Sequence, residues 1–330
     1  MIKVSVIMSV FNSLPLLNES IESLQQQDVR NFEVVIVDDG SDDGSREFLA
    51  NLQEKDRRFV VLFNEVNIGL TKSLNRALEK AQGKYIARMD DDDIALPSRL
   101  KKQSDFLDKN HNVGVVGTYA ELFGGQSGFR MHDTQDEILK CKTLFSCQFC
   151  HPSTMIRRDV LTKNNITYDE SFVTAQDYKL WTDLLTVTDF ATLPEVLLKY
   201  RIHARQISSV KREQQVENTY RIYGEIFSRL GIEYDMSTLT THQDLASFSH
   251  LSMGVNDLKK TSDHLLSIIK ANQSAQVFPQ KELERFLGEM FYNLVKVSKV
   301  SRSQKVAMYY QNGHQVYFEP RLTKLKLYFS

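Results

Sequence analysis

Four consecutive aspartates, Asp90-Asp91-Asp92-Asp93, follow directly on the strand-like run Lys84-Tyr85-Ile86-Ala87-Arg88-Met89. Adjacent carboxylates repel one another and resist leaving water, so the cluster calls for solvent or a cation. A divalent metal at a strand end most often serves a phosphate-bearing substrate. A solvated acidic loop is the alternative for the cluster taken alone.

A second acidic group, Val37-Asp38-Asp39-Gly40-Ser41, also closes an apolar run. A carboxylate there can accept a hydrogen bond from the imide N–H of uracil or from a ribose hydroxyl. Gly40 permits a tight turn and Ser41 can cap the next helix, so an Asx turn with an N-cap explains the residues equally well. Neither strand end carries the glycine patterns of a P-loop or a dinucleotide fold, which leaves nucleotide-sugar binding open.

The elements that must carry these groups alternate. Lys3–Val10, Phe32–Val37 and Phe59–Phe63 read as strands, the last two separated by a helix through Phe48, Leu49 and Leu52. Helical spacing marks Leu16–Gln26, Thr71–Ala81 and Arg99–Asn110, and the Asp cluster ends a further strand. Near-continuous apolar strands between amphipathic helices predict a buried, mostly parallel sheet. Val113–Gly117 reads as another strand, Thr118–Ser146 as irregular loops, and Tyr178–Leu185 as a short helix. From Lys211 the texture becomes helical, with apolar stripes through Tyr223, Phe227 and Leu230, through Leu265, Leu266 and Ile269, and through Leu283, Leu287, Met290 and Leu294.

At 330 residues the chain has room for one large domain and a smaller one. A net charge of −1 argues against a general nucleic-acid binder. No apolar run approaches a membrane span, and the first residues enter a strand without a signal segment, so a cytoplasmic protein is expected. Cys147-Gln148-Phe149-Cys150-His151 matches a haem-attachment pattern and Cys141 offers a third thiolate for zinc, but export signals are lacking and the spacing is unusual. Ordinary reduced cysteines are the expectation.

Taken in order, Ser5–Asn12, Val37–Ser41, Asn67-Ile68-Gly69-Leu70, Asn75-Arg76-Ala77, Ala87–Asp93, Ala175-Gln176-Asp177-Tyr178-Lys179-Leu180-Trp181 and Tyr200-Arg201-Ile202-His203 form a series. This series resembles the family-2 inverting glycosyltransferases of the GT-A fold, over roughly residues 1–210. The resemblance implies an α/β fold with a Rossmann-like, mostly parallel mixed sheet flanked by helices. Residues 211–330 would be a helical C-terminal extension.

The resemblance also implies roles. Ser9, Phe11 and Asn12 would cradle the nucleotide, with serine and phenylalanine where proline and tyrosine are frequent. Asp39, with its neighbour Asp38, would read the uracil. Asn67 and Gly69, with Lys72 or Arg76, would line uridine and pyrophosphate. Asp90 and Asp92, with Asp91 between them, match the Asp-x-Asp motif; Asp92 leads as metal ligand, with Asp91 and Asp93 left open, and Mn2+ or Mg2+ would bridge the two phosphates. His203 would reach the metal or the diphosphate, and Arg201 and Arg205 would neutralise phosphate. Asp177 matches the general base; as a helix N-terminal acid it would complement the dipole without any catalytic role.

The partners so implied are a UDP-sugar donor and a saccharide, lipid-linked or glycoprotein acceptor. The helical extension is expected to pack on its own chain or to form a homo-oligomer, because its apolar stripes must be buried. Arg321–Phe329 mixes basic and apolar residues, which leaves peripheral contact with the inner membrane face open. A nucleotidyltransferase, or a binding module without activity, is the rival. The first would need a Gly-rich basic loop that Ser9–Leu17 lacks, and the second conflicts with intact Asp39, Asp92 and Asp177.

Overall fold

The apolar runs become strands buried on both faces. β1 (Val4–Val10) and β2 (Phe32–Asp38) have no exposed residue, as parallel strands covered by helices require. The computed structural model describes residues 2–203, 212–247, 253–311 and 327. The chain divides into two compact units, Met1–Leu139 with Cys147–Asn218, and Lys140–Ser146 with Thr219–Ser330.

The first unit is an α/β layer structure. β1 and β2 alternate with α1 (Leu14–Gln25) and α2 (Ser45–Lys55); β3 (Phe59–Phe63), α3 (Leu70–Lys80) and β4 (Tyr85–Arg88) follow. β5 (Ile94–Ala95), α4 (Arg99–Lys109), β6 (Val113–Gly124), β7 (Gly128–Arg130) and α5 (Asp136–Thr143) as far as Leu139 come next. β8 (Met155–Arg157), α6 (Arg158–Asn164), α7 (Gln176–Leu184) and β9 (Asp189–Ile202) complete it. The sheet runs β3-β2-β1-β4-β8-β6-β9-β5, with β7 on β6. β3, β2, β1 and β4 are parallel, and β8 enters antiparallel to both β4 and β6. The register pairs Val10 with Asp38 and Ile7 with Arg88, so the carboxyl ends of β1, β2 and β4 finish together.

The structure departs from the sequence expectation in the second half of this unit. Thr118–Ser146 is not irregular: β6 runs on to Gly124, β7 turns back on it, and α5 follows. β9, fourteen residues long, pairs in parallel with β6, but its register jumps from Thr118↔Leu193 to Tyr119↔Val196. Pro194 and Glu195 bulge out of the ladder there, since proline offers no N–H to it. The two-residue β5 hydrogen-bonds to the far half of β9 (Ile94↔Lys199), which ties the residues just after Asp93 to the stretch just before His203.

The second unit is helical: α8 (Arg212–Leu230) from Thr219 onward, α9 (Met236–Ser247), α10 (Val255–Ala275), α11 (Gln280–Val297) and α12 (Arg302–Gln311). Tyr223, Phe227, Leu258, Leu265, Ile269, Leu283, Leu287 and Leu294 are buried within the single chain. Their apolar stripes therefore reach cover without a second copy. Among the described residues no helix is long and apolar enough to cross a membrane. Arg205 and the Arg321–Phe329 stretch, Leu327 apart, lie outside the described residues.

Candidate active site

The shared end of β1, β2 and β4 gathers the acidic groups. Gly40, at φ +79°, turns the chain after β2 so tightly that a Cβ would sit 2.8 Å from the carbonyl carbon of Val66. That approach lets buried Asp39 collect three donors. Its Oδ1 accepts from Asn64 Nδ2 (2.7 Å) and Ile68 N (2.9 Å), and Oδ2 accepts from Gly69 N (2.9 Å). A carboxylate oxygen accepts two hydrogen bonds, so Oδ2 keeps capacity for another donor. Asp38 is fully buried; Arg46 Nη1 lies 3.6 Å from its Oδ2, while Oδ1 has no partner. Asn12, at φ 52°, donates from its backbone N to Ser41 Oγ (3.1 Å) and accepts from Asp42 N (2.9 Å). Ser9 is buried beside it on β1, and the Phe11 ring is half open to solvent.

Three of the four aspartates converge. One carboxylate oxygen each from Asp90, Asp92 and Asp93 lies within 4.8 Å of the others. Asp91 turns away, accepting from Ser13 Oγ at 2.5 Å at the start of α1. Asp93 is fully buried: Oδ1 accepts from Arg201 N (2.8 Å), and Oδ2 has no partner at all. His203 Nε2 reaches Asp92 Oδ2 at 2.7 Å, and Arg88 pairs with Asp90. The Arg201 guanidinium holds Asp92 O (2.7 Å) and Glu19 Oε2 (2.5 Å) and rests on the Phe123 ring, so it braces the loop.

Burial and repulsion from Asp90 raise the Asp92 carboxyl, and burial with Asp90 and Asp92 raises Asp93 well above the usual range. Burial, with the Asp92 charge, pushes Asp91 up to about 7. A cluster so short of positive charge, made of hard oxygen donors and containing an orphaned buried oxygen, fits a hard divalent cation. Asp90, Asp92 and Asp93 would hold it, with His203 adjoining.

Asp177 occupies the first turn of α7, behind Ala175 in the left-handed region (φ 55°). Burial raises its carboxyl, opposed by the Tyr178 N–H and the Cys147 thiol, and the Asp90 charge adds to the rise. Beneath it Trp181 is fully buried, edge-on to Phe149 (5.2 Å) and His151 (6.1 Å). His151 Nε2 bonds Tyr168 OH at 2.8 Å, and burial with the Arg88 charge keeps the imidazole neutral.

Lys72 and Arg76, expected at the pyrophosphate, line a groove of about 490 Å³ with Ile68, Asn75, Glu79 and Glu170. Gly69 places its N–H on Asp39, and the Asn67 side chain is exposed. The sequence assigns no site role to Arg88, Ser13 or Tyr168, and it offers Cys147 only as part of a haem or zinc spacing, not as a partner of Asp177. Only Arg88 gave a signal, as a cation two residues before a carboxylate that it could pair. Cys141, Cys147 and Cys150 form no disulfide; Cys141 and Cys150 are buried.

Comparison with known proteins decides the family. Residues 5–164 match the family described as Glycosyl transferase family 2. An uncharacterized glycosyltransferase of Haemophilus influenzae is 32% identical over 245 residues, covering 70% of this chain and 76% of the relative. The chain belongs to glycosyl transferase family 2. The Escherichia coli O-antigen biosynthesis glycosyltransferase WbnJ is 33% identical, over 61% of this chain and 80% of its own. In fold the family-2 chain is similar to S. aureus TarS 1-349, solved in complex with UDP-GlcNAc. The TM-score is 0.61 at 20% identity, over 98% of this chain and 91% of that one. The GT-A architecture and the glycosyltransferase class inferred from the motif series therefore hold.

Proposed function

We propose that this glycosyltransferase moves one sugar from a UDP-sugar to an acceptor hydroxyl with inversion, in a divalent-metal-dependent reaction, with Asp177 as general base. The observation that carries the reading is the convergence of Asp90, Asp92 and Asp93, with the Asp93 Oδ2 buried and unpartnered. The TarS complex with UDP-GlcNAc supports a uridine donor, and the O-antigen relative supports a saccharide acceptor.

The chain's own residues divide the work. Asp39 Oδ2 accepts a hydrogen bond from the uracil imide N–H, and the open Phe11 ring offers a face to the base. Asp90, Asp92 and Asp93 would hold Mn2+ or Mg2+, which would offset negative charge on the departing diphosphate. His203 fixes Asp92 from the strand behind, and Arg201 fixes the Asp93 carboxylate through its backbone N–H. Asp177 takes the proton of the acceptor hydroxyl as that oxygen bonds the anomeric carbon and the carbon–oxygen bond to UDP breaks. Burial raises its carboxyl above the ordinary carboxylate range, which makes it a stronger base toward the acceptor hydroxyl.

Incubation with a panel of UDP-sugars, candidate saccharide acceptors and Mn2+, followed by UDP release, tests the reaction. Asp177→Asn should fold, bind UDP and lose about 10² to 10⁴-fold in kcat. Near-native transfer by that variant would rule out the base.

A further inference from the structure

Cys147 lies outside the roles described so far, yet its Sγ has two acceptors in reach. Phe149 O stands at 3.4 Å and Asp177 Oδ2 at 3.5 Å. A thiol has one proton, so it serves only one of them at a time. Both acceptors are fixed. Asp177 sits on α7 one turn before buried Trp181, and Phe149 is wedged edge-on between Trp181 (5.2 Å) and Phe190 (5.6 Å). Which acceptor wins then depends on the charge of Asp177, because a hydrogen bond to a carboxylate is about twice as strong as one to a neutral carbonyl.

We propose that Cys147 is a positioning residue acting through Asp177: its thiol donates to Oδ2 while the carboxylate is ionised, and turns to Phe149 O once the acceptor's proton has arrived. The inference rests on the reading of Asp177 as the base. The proton balance is simple. The acceptor hydroxyl loses its proton to Asp177, the thiol keeps its own throughout, and only the direction of the S–H changes. The thiol can play this part because burial and the Asp177 charge hold it protonated, well above the ordinary thiol range. Besides burial and the Cys147 thiol, the groups that act on Asp177 are the Tyr178 N–H and its own backbone N–H, which favour the anion, and Asp90, which opposes it. The Tyr168 hydroxyl nearby is occupied with His151 Nε2.

The donor lowers the cost of ionising a buried carboxyl, so its removal should make Asp177 harder to ionise. In 13C-labelled protein the Asp177 carboxyl carbon, assigned by its loss in Asp177→Asn, reports the titration directly and needs no substrate. Its midpoint should rise by about one pH unit in Cys147→Ala and not in Cys147→Ser, whose hydroxyl still donates. With the fastest donor of the UDP-sugar panel, the acid limb of kcat should move up by the same amount, with the alkaline plateau and UDP affinity unchanged. A residue that only packed would lower the plateau at every pH. An unchanged carboxyl midpoint in Cys147→Ala overturns the proposal. An active Asp177→Asn would instead overturn the base assignment while leaving the carboxyl titration interpretable, so the two failures are distinct.

Discussion

Each unit buries a group of polar side chains, and the two groups differ in how completely the protein satisfies them. In the first unit Asp93 is fully buried with Oδ2 unpartnered, beside Asp90 and Asp92. In the second, His242 Nε2 donates to Leu144 O (2.8 Å), so its Nδ1 is the acceptor for His264 Nε2–H at 3.0 Å. Phe145 stacks on the His242 ring at 4.3 Å, and Tyr223 and Phe227 close its edges. The histidines are neutral and mutually bonded; the aspartates crowd one another, and Asp93 keeps one buried oxygen without a partner. Buried polar groups cost little when paired and much when orphaned. The histidine pair is thus a finished piece of core, and the aspartate cluster is a place prepared for something from outside.

The contrast can be broken most sharply at Asp93. Asp93→Asn replaces the carboxyl oxygen the protein leaves unmatched, and it should lower transfer by about 1,000-fold while costing the apo fold little. UDP release and thermal unfolding of the variant check both halves; near-native transfer would show the orphaned oxygen to be incidental.

Acid should separate the two groups next. Burial holds His242 at about 3, with His264 adding to the effect, and burial holds His264 at about 4, against 6.5 for a free imidazole. Folded pKa values below the unfolded one mean that stability is full above pH 6.5 and is lost as pH falls toward 4 and then 3. Between pH 6.5 and 5 each histidine should cost about 2 kcal/mol. Urea unfolding followed by circular dichroism at pH 7 and pH 5 measures this, and His264→Phe should roughly halve the loss. An undiminished loss in that variant would place the acid sensitivity elsewhere.

The smallest effect is stabilisation by the cation. Mn2+ at about a hundred times its dissociation constant should stabilise the wild type by about 2.7 kcal/mol and Asp93→Asn far less. Equal shifts in melting temperature would put the ion at another site.

The first half of the fold is legible because β1 to β4 are unbroken apolar runs between helices of clear period. β9 is not, since Pro194-Glu195 interrupts its pattern and a sequence reader takes proline as an end. β6 beyond Gly117 fails for a related reason: the stretch that continues it is half exposed, so its composition looks like loop. In the site, Asp39, Asp90, Asp92, Asp177 and His203 stand in recognisable motifs. Asp93 could not be separated from Asp91 by sequence, because that choice is made by distant residues. Ser13 takes Asp91 toward α1, and Arg201 holds Asp93. Cys147 reaches Asp177 across thirty positions, a proximity no local pattern encodes.

The Lys140–Ser146 segment carries a consequence for how the chain is made. It belongs to the helical unit, where Leu144 and Phe145 are buried and Tyr223 OH donates to Phe145 O (2.7 Å), although both flanks belong to the first unit. During synthesis these seven residues leave the ribosome long before His242 and Tyr223 exist to receive them. A nascent chain halted at Asn218 would therefore hold two bare apolar side chains in the middle of an otherwise foldable domain, a natural binding point for chaperones. For the same reason, a recombinant catalytic fragment cut at the unit boundary should be sticky unless Leu144 and Phe145 are first made polar.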